Sequence, residues 1–307
     1  MAKLDESANG VFIIAVTPFT DTGALDLEST DRMVDFYLEK GVTGFTLLGM
    51  MGEAPKLTLA ESRSFVQRVL KRLDGKLPVV VGVSSPGFAS MGELTKAVMD
   101  DGASGVMIAP PGTLKTDDQI VAYYENAAEA IGTSTPFVVQ DFPQSTNVHM
   151  TPGVIARIIK SLPSCVMLKH EDWPGLAKLT ALRAMTDLRR VSILVGNGGV
   201  FLPEEMERGA DGAMTGFAYP EMMVEVVKAY KAGKPDRARD IFDAYLPLAR
   251  YEQQPGPGLA IRKYVLQKRG AIASAALRKP GPKLSALDLA EIERMIARQT
   301  KRLQEIG

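Results

Sequence analysis

The chain has 307 residues, 46% of them hydrophobic and 23% charged, with a formal net charge of zero. Neutral balance without a basic block argues against nucleic-acid binding driven by phosphate contacts, and no apolar run approaches the ~20 residues that span a bilayer. One cysteine, Cys165, excludes an internal disulfide, and with only His149 and His170 beside it the chain has too few soft ligands for a structural zinc site.

The N-terminal MAKLDESANG is polar and lacks an apolar signal core, so a soluble, cytoplasmic protein is expected. Continuously apolar, β-branched runs then recur along the chain, as strands buried on both faces of a parallel sheet require. The first is VFIIAVT (11–17), followed by a helix-like stretch over 27–41 that ends at Gly41. TGFTLLG (43–49) comes next, then a helix over 57–75 that opens with Thr58 and Glu61 in capping-box spacing. PVVVGVS (78–84), GVMIAP (105–110), a helix over 116–132 and PFVVQD (136–141) continue the pattern. CVMLK (165–169), SILVG (192–196) and DGAMTG (211–216) complete eight runs.

Eight alternations of strand and helix predict an α/β fold of the (β/α)8 TIM barrel type. The competing architecture is an open doubly wound sheet, but the dinucleotide glycine fingerprint is absent after the first strand. After Tyr219–Pro220 the pattern is purely helical, over 221–233, 235–252, 257–270 and 286–305. The expected organisation is a barrel over 1–220 with C-terminal helices over 221–307 packed on it, because no linker of disordered composition separates them.

In such a barrel, chemistry collects where strands end. The sixth run ends at Lys169 and is followed by HEDWPG. Desolvating an ammonium at the mouth of an apolar strand is costly, which favours the neutral amine, a nucleophile for carbonyl carbon. Other strand ends carry Thr17–Pro18, Gly49–Met50–Met51–Gly52–Glu53, Gln140–Asp141–Phe142–Pro143 and Gly196–Asn197–Gly198–Gly199.

This ordered set resembles the dihydrodipicolinate synthase / N-acetylneuraminate lyase family. The likeness runs through VTPF (16–19), the G-x-x-G-E loop (49–53), the proline after strand five, the strand-six lysine, GNGG, GADGAMTG and the helical tail. The resemblance implies a barrel with three C-terminal helices, a Schiff base between Lys169 and a 2-oxo acid, and a homotetramer. The departures from the family pattern are equally informative. Met50 and Met51 stand where hydroxyl residues are usual, Gln140 stands where a tyrosine shuttles protons, and Ala109–Pro110–Pro111–Gly112 replaces the segment with the relay's other tyrosine. A glutamine cannot act as acid or base near neutrality.

Either catalysis is lost or another acid/base has taken over. Along an extended strand, residues two apart share a side, so Glu171 is expected beside Lys169 with His170 facing outward. Glu171 is then the candidate acid/base, with a salt bridge or a helix cap as its structural alternatives. Asp172 suits an N-cap ahead of Pro174. Asp141 is either a second acid/base or a loop staple.

The expected substrate-binding residues are Gly49, Met50 and Met51, through backbone donors and apolar walls, with Gln140, Gly196 and Asn197. Glu53 is expected to organise its loop. A lysine retained without the tyrosine relay, with glutamate two residues on, points within the family to a lyase dehydrating a 2-keto-3-deoxy sugar acid. No metal or organic cofactor is needed, because the protonated imine is itself the electron sink. The alternatives are a pyruvate-dependent aldolase or synthase, a hydratase-aldolase, and a non-catalytic 2-oxo-acid-binding protein.

Overall fold

The computed structural model describes residues 3–173 and 175–307. Eight parallel strands close into one barrel in sequential order. They are β1 (Gly10–Ile14), β2 (Gly44–Leu47), β3 (Val79–Gly82), β4 (Gly105–Ile108), β5 (Phe137–Asp141), β6 (Cys165–His170), β7 (Ser192–Val195) and β8 (Gly212–Ala213). The expected (β/α)8 TIM barrel is therefore the fold; most strands are shorter than their apolar runs, while β6 continues one residue past its run to His170.

The hydrophobic core divides into two clusters, as a filled barrel demands. Phe12, Ile14, Met107, Val138, Leu194 and Met214 belong to the smaller, inside the barrel, which Leu4 of the N-terminal segment also joins. The larger cluster lies between strands and helices and includes Phe45, Leu47, Val79, Val81 and Val139, which alternate along the strands with inward positions.

Local sequence chemistry sets the helix starts. Thr58 and Glu61 form the expected capping box on helix Leu59–Leu73. Thr116 with Gln119 and Ser285 with Asp288 build two more. Helix Pro220–Lys231 follows β8 and packs against β1, completing the helical ring. Helices Pro235–Glu252, Gly258–Lys268 and Ala286–Ile306 come after it. Among the described residues, no helix is long and apolar enough to cross a membrane.

A β-bulge in β6 sets the direction in which Lys169 points. Phe137 pairs with Cys165, but the next residue, Val138, pairs with Met167, so β6 carries one extra residue at Val166. Cys165 and Leu168 lie in the outer cluster, while Val166 and Met167 both lie in the inner one. The bulge shifts the phase of the strand by one residue and thereby turns Lys169 toward the barrel interior.

Candidate active site

Lys169 and Glu171 meet at the C-terminal mouth of the barrel. Their Nζ and Oε1 atoms lie 2.7 Å apart, and the residues are 4% and 5% exposed. Gln140, opposite Lys169 in the β5–β6 register, donates from Nε2 to the same Oε1 at 2.7 Å. One carboxylate oxygen thus receives both an ammonium and an amide. The pairing obeys the two-residue period of an extended strand, and His170 between them points outward into a separate cluster.

Gly196 explains how Glu171 fits. A Cβ at position 196 would lie 2.1 Å from Glu171 Cγ, so the carboxylate side chain occupies the space that any larger residue would fill. Asn197 adopts a left-handed conformation with φ 53°. Its Nδ2 donates to the carbonyls of Glu171 at 3.1 Å and Asp172 at 3.5 Å. The Asn197 amide group is therefore a clamp on the segment that carries Glu171.

The 49–53 loop forms a short 3-10 turn over Met50–Gly52. The Gly52 and Glu53 amides are spent on the carbonyls of Gly49 and Met50. Thr17 donates from Oγ1 to Gly52 O at 2.6 Å. Glu53, buried and left-handed, accepts from Lys263 Nζ at 2.7 Å and from Lys56 Nζ at 2.9 Å. Lys263 also donates to Thr17 O and Ala276 O. Burial pulls the Lys263 amine below its usual range, with Glu53 opposing. Glu53 organises its loop and ties it to the C-terminal helices.

The two methionines differ in burial. Met50 is 40% exposed and accepts from Ser145 Oγ through its sulfur. It lines a cavity of about 560 Å3 together with Gly49, Met107 and Gln140. Met51 packs against the inner barrel cluster and lines a second cavity of about 480 Å3 with Phe142, Gln144, Trp173, Asn197 and the turn over 253–258. Trp173 stands 4.7 Å from the Phe201 ring at the edge of this cavity. Thr46, on the inward phase of β2, holds a buried hydroxyl without a partner among the described residues.

The expected cap at Asp172 is corrected. Helix Leu176–Ala184 is preceded by Gly175 and has no side-chain cap. Asp172 instead accepts from its neighbour's amide at Trp173 and pairs with Lys178 at 2.7 Å. The carboxylate gains more from a full positive charge than from a helix terminus. Pro174, invoked in that reading, lies outside the described residues. Asp141 is buried, faces away from the barrel interior and pairs with Lys178. The local sequence carries no sign of Lys178 as a partner, because a basic residue in a helix ordinarily reads as a solvated one.

The dihydrodipicolinate synthetase family matches residues 7–299. The chain belongs to that family. Among curated members, an L-2-keto-3-deoxyarabonate dehydratase from Azospirillum brasilense is 30% identical over 92% of both chains. A 4-hydroxy-tetrahydrodipicolinate synthase from Thermotoga sp. (strain RQ2) is 31% identical over 78% of this chain and 82% of its own. A crystal structure described as dihydrodipicolinate synthase from Rhodopseudomonas palustris is 54% identical, with a TM-score of 0.95 over 97% of this chain and 100% of that one. The protein is thus a lyase-family barrel of the dihydrodipicolinate synthetase type.

Proposed function

We propose that this family member dehydrates a 2-keto-3-deoxy sugar acid through a Schiff base, with L-2-keto-3-deoxyarabonate as substrate and 2-oxoglutarate semialdehyde as product. One observation carries the reading: a buried lysine and a glutamate share a 2.7 Å contact at the barrel mouth, and a glutamine sits where the family resemblance expects a tyrosine. The name of the Azospirillum relative points the same way.

In this reading Lys169 gives a proton to Glu171 across their contact, and the freed amine attacks the C2 ketone. Water leaves, and a protonated imine remains. Glu171, returned to its carboxylate form, takes a C3 proton, and the electron pair moves into an enamine. The same group, now protonated, hands its proton to the departing C4 hydroxyl, which leaves as water. Tautomerisation and imine hydrolysis release product and amine. Gln140 steers the carboxylate without competing for protons. Gly49 and the amides of Met50 and Met51 hold the substrate carboxylate, Gly196 gives Glu171 its room, and Asn197 fixes the loop above it. As in the family resemblance, the active form is a homo-oligomer, a tetramer, which light scattering measures directly.

Incubation with a 2-keto-3-deoxy pentonate and borohydride, followed by peptide mass spectrometry, tests the covalent step; an adduct anywhere but Lys169 removes it. Glu171→Gln should keep the adduct and lose water elimination, and unchanged turnover would remove Glu171 from its role. A pyruvate-dependent synthase or aldolase is the second reading, favoured by the description of the 54% identical Rhodopseudomonas structure. Pyruvate released or consumed in the product assay, in place of a five-carbon semialdehyde, selects it.

A further inference from the structure

Behind the reacting face of β6 lies a second ionic cluster. His170 is 1% exposed and Asp141 is fully buried. His170 Nδ1 lies 3.3 Å from Asp141 Oδ2, and its Nε2 lies 3.0 Å from the carbonyl oxygen of Gly175. Lys178 Nζ bridges Asp141 Oδ2 at 2.8 Å and Asp172 Oδ2 at 2.7 Å. Gly175 admits the ring: a Cβ there would lie 2.2 Å from Nε2.

Both ring nitrogens therefore face oxygen acceptors. A neutral imidazole has one N–H and one lone pair, so either tautomer would set a lone pair against an oxygen. Asp141 Oδ2 is already an acceptor for the Lys178 ammonium, which leaves it poorly suited to carry a proton for the ring. Charge balance leads to the same result. The ionic groups facing the ring are Asp141 from β5, Asp172 from the segment after β6 and Lys178 from helix Leu176–Ala184. Two carboxylates and one ammonium, the outer two groups part-buried, leave a net charge of −1 around a buried ring; a cationic ring brings it to zero. Burial pushes the Asp172 carboxyl up, yet Lys178 more than offsets this and holds it below its usual range.

We propose that His170 is a positioning residue that acts as an imidazolium, closing a neutral network of two carboxylates and two cations that keeps Lys169 and Glu171 on the same side of β6. The positioning half rests on the functional reading above; the protonation half does not. The backbone supplies the link. His170 lies between the two reacting residues and accepts from Gly196 N at 2.8 Å, and Glu171 N donates to Asp141 O at 2.8 Å. Anchoring the ring fixes the chain between the two side chains that must converge.

The chain has only two histidines, and His149 is exposed, so it serves as an internal reference. Magic-angle-spinning NMR of 15N-histidine-labelled protein at neutral pH should show both nitrogens of His170 in the protonated range. A bare ring nitrogen at His170 overturns the proposal whatever the enzyme does. For positioning, His170→Gln should lower kcat on the order of 10²-fold with KM unchanged, since no substrate-contacting atom is altered. Unchanged kcat, or a loss confined to KM, overturns that half. If His170→Gln does not fold, Lys178→Gln gives the same reading of kcat against KM. Absence of any borohydride adduct in the unmodified protein overturns the Schiff-base reading alone and leaves the NMR result standing.

Discussion

Gly196→Ala isolates the geometry of Glu171 from its chemistry. The φ of Gly196 is −109°, so an alanine there suffers no left-handed strain, and the main effect of the added methyl is contact. That methyl would lie 2.1 Å from Glu171 Cγ and 2.5 Å from Oε2. Carbon atoms rest about 3.5–4.0 Å apart, so Glu171 must retreat by roughly 1.5 Å. Both of its contacts, to Lys169 and to Gln140, are 2.7 Å now and would stretch past hydrogen-bond range. Overpacking of this kind costs about 1–3 kcal/mol of stability, which a barrel of this size tolerates. A misplacement above 1 Å costs on the order of 10²-fold in rate. The expected result is a folded protein, checked by circular dichroism, that still forms the borohydride-trapped adduct at Lys169 but turns over on the order of 10²-fold more slowly. A folded Gly196→Ala protein with undiminished turnover would refute the placement of Glu171 as acid/base.

Lys263→Met should destabilise the protein by about 3–5 kcal/mol, because it strips a fully buried ammonium from Glu53 and from two carbonyls. Adding Glu53→Gln should recover about 1–3 kcal/mol of that loss, measured as a shift in the urea midpoint; strict additivity would show that the pair is not coupled. Glu205 has a buried Oε2 without a partner among the described residues, and burial, with Glu204 adding repulsion, pushes its pKa from 4.5 up to about 8. A raised carboxyl pKa means that the folded state holds the proton more tightly, so this contribution is complete below about 4.5 and is lost as pH rises toward about 8. Glu205→Gln should remove a slope of up to about 1.4 kcal/mol per pH unit across that window, and unfolding curves whose pH dependence matches the unmodified protein would contradict it.

Much of the barrel was legible in the chain because burial on both faces leaves a strong local mark. Runs such as PVVVGVS and SILVG have no other economical reading, and Thr58 with Glu61 announces a helix start within four residues. At β1 and β8 the apolar runs continue past the ends of the strands into the loops at the C-terminal end of the barrel. Glu171 was found beside Lys169 because a two-residue period is a local property. The partners of Asp141, Asp172 and Glu53 were not legible. Lys178 and Lys263 look like ordinary helical lysines until the fold part-buries the first and fully buries the second, which lies 210 residues from its carboxylate.

The chain by itself determined the succession of buried strands and amphipathic helices, the family pattern and the Lys169–Glu171 pair, since each of these depends on neighbours in sequence. Tertiary structure alone decided which way that pair faces. Strict alternation from Cys165, whose side chain packs outside the barrel, would have turned Lys169 outward; one extra residue at Val166 reverses the phase. Strand parity carries no sign until the register with a neighbouring strand is set, and register is a property of the closed sheet.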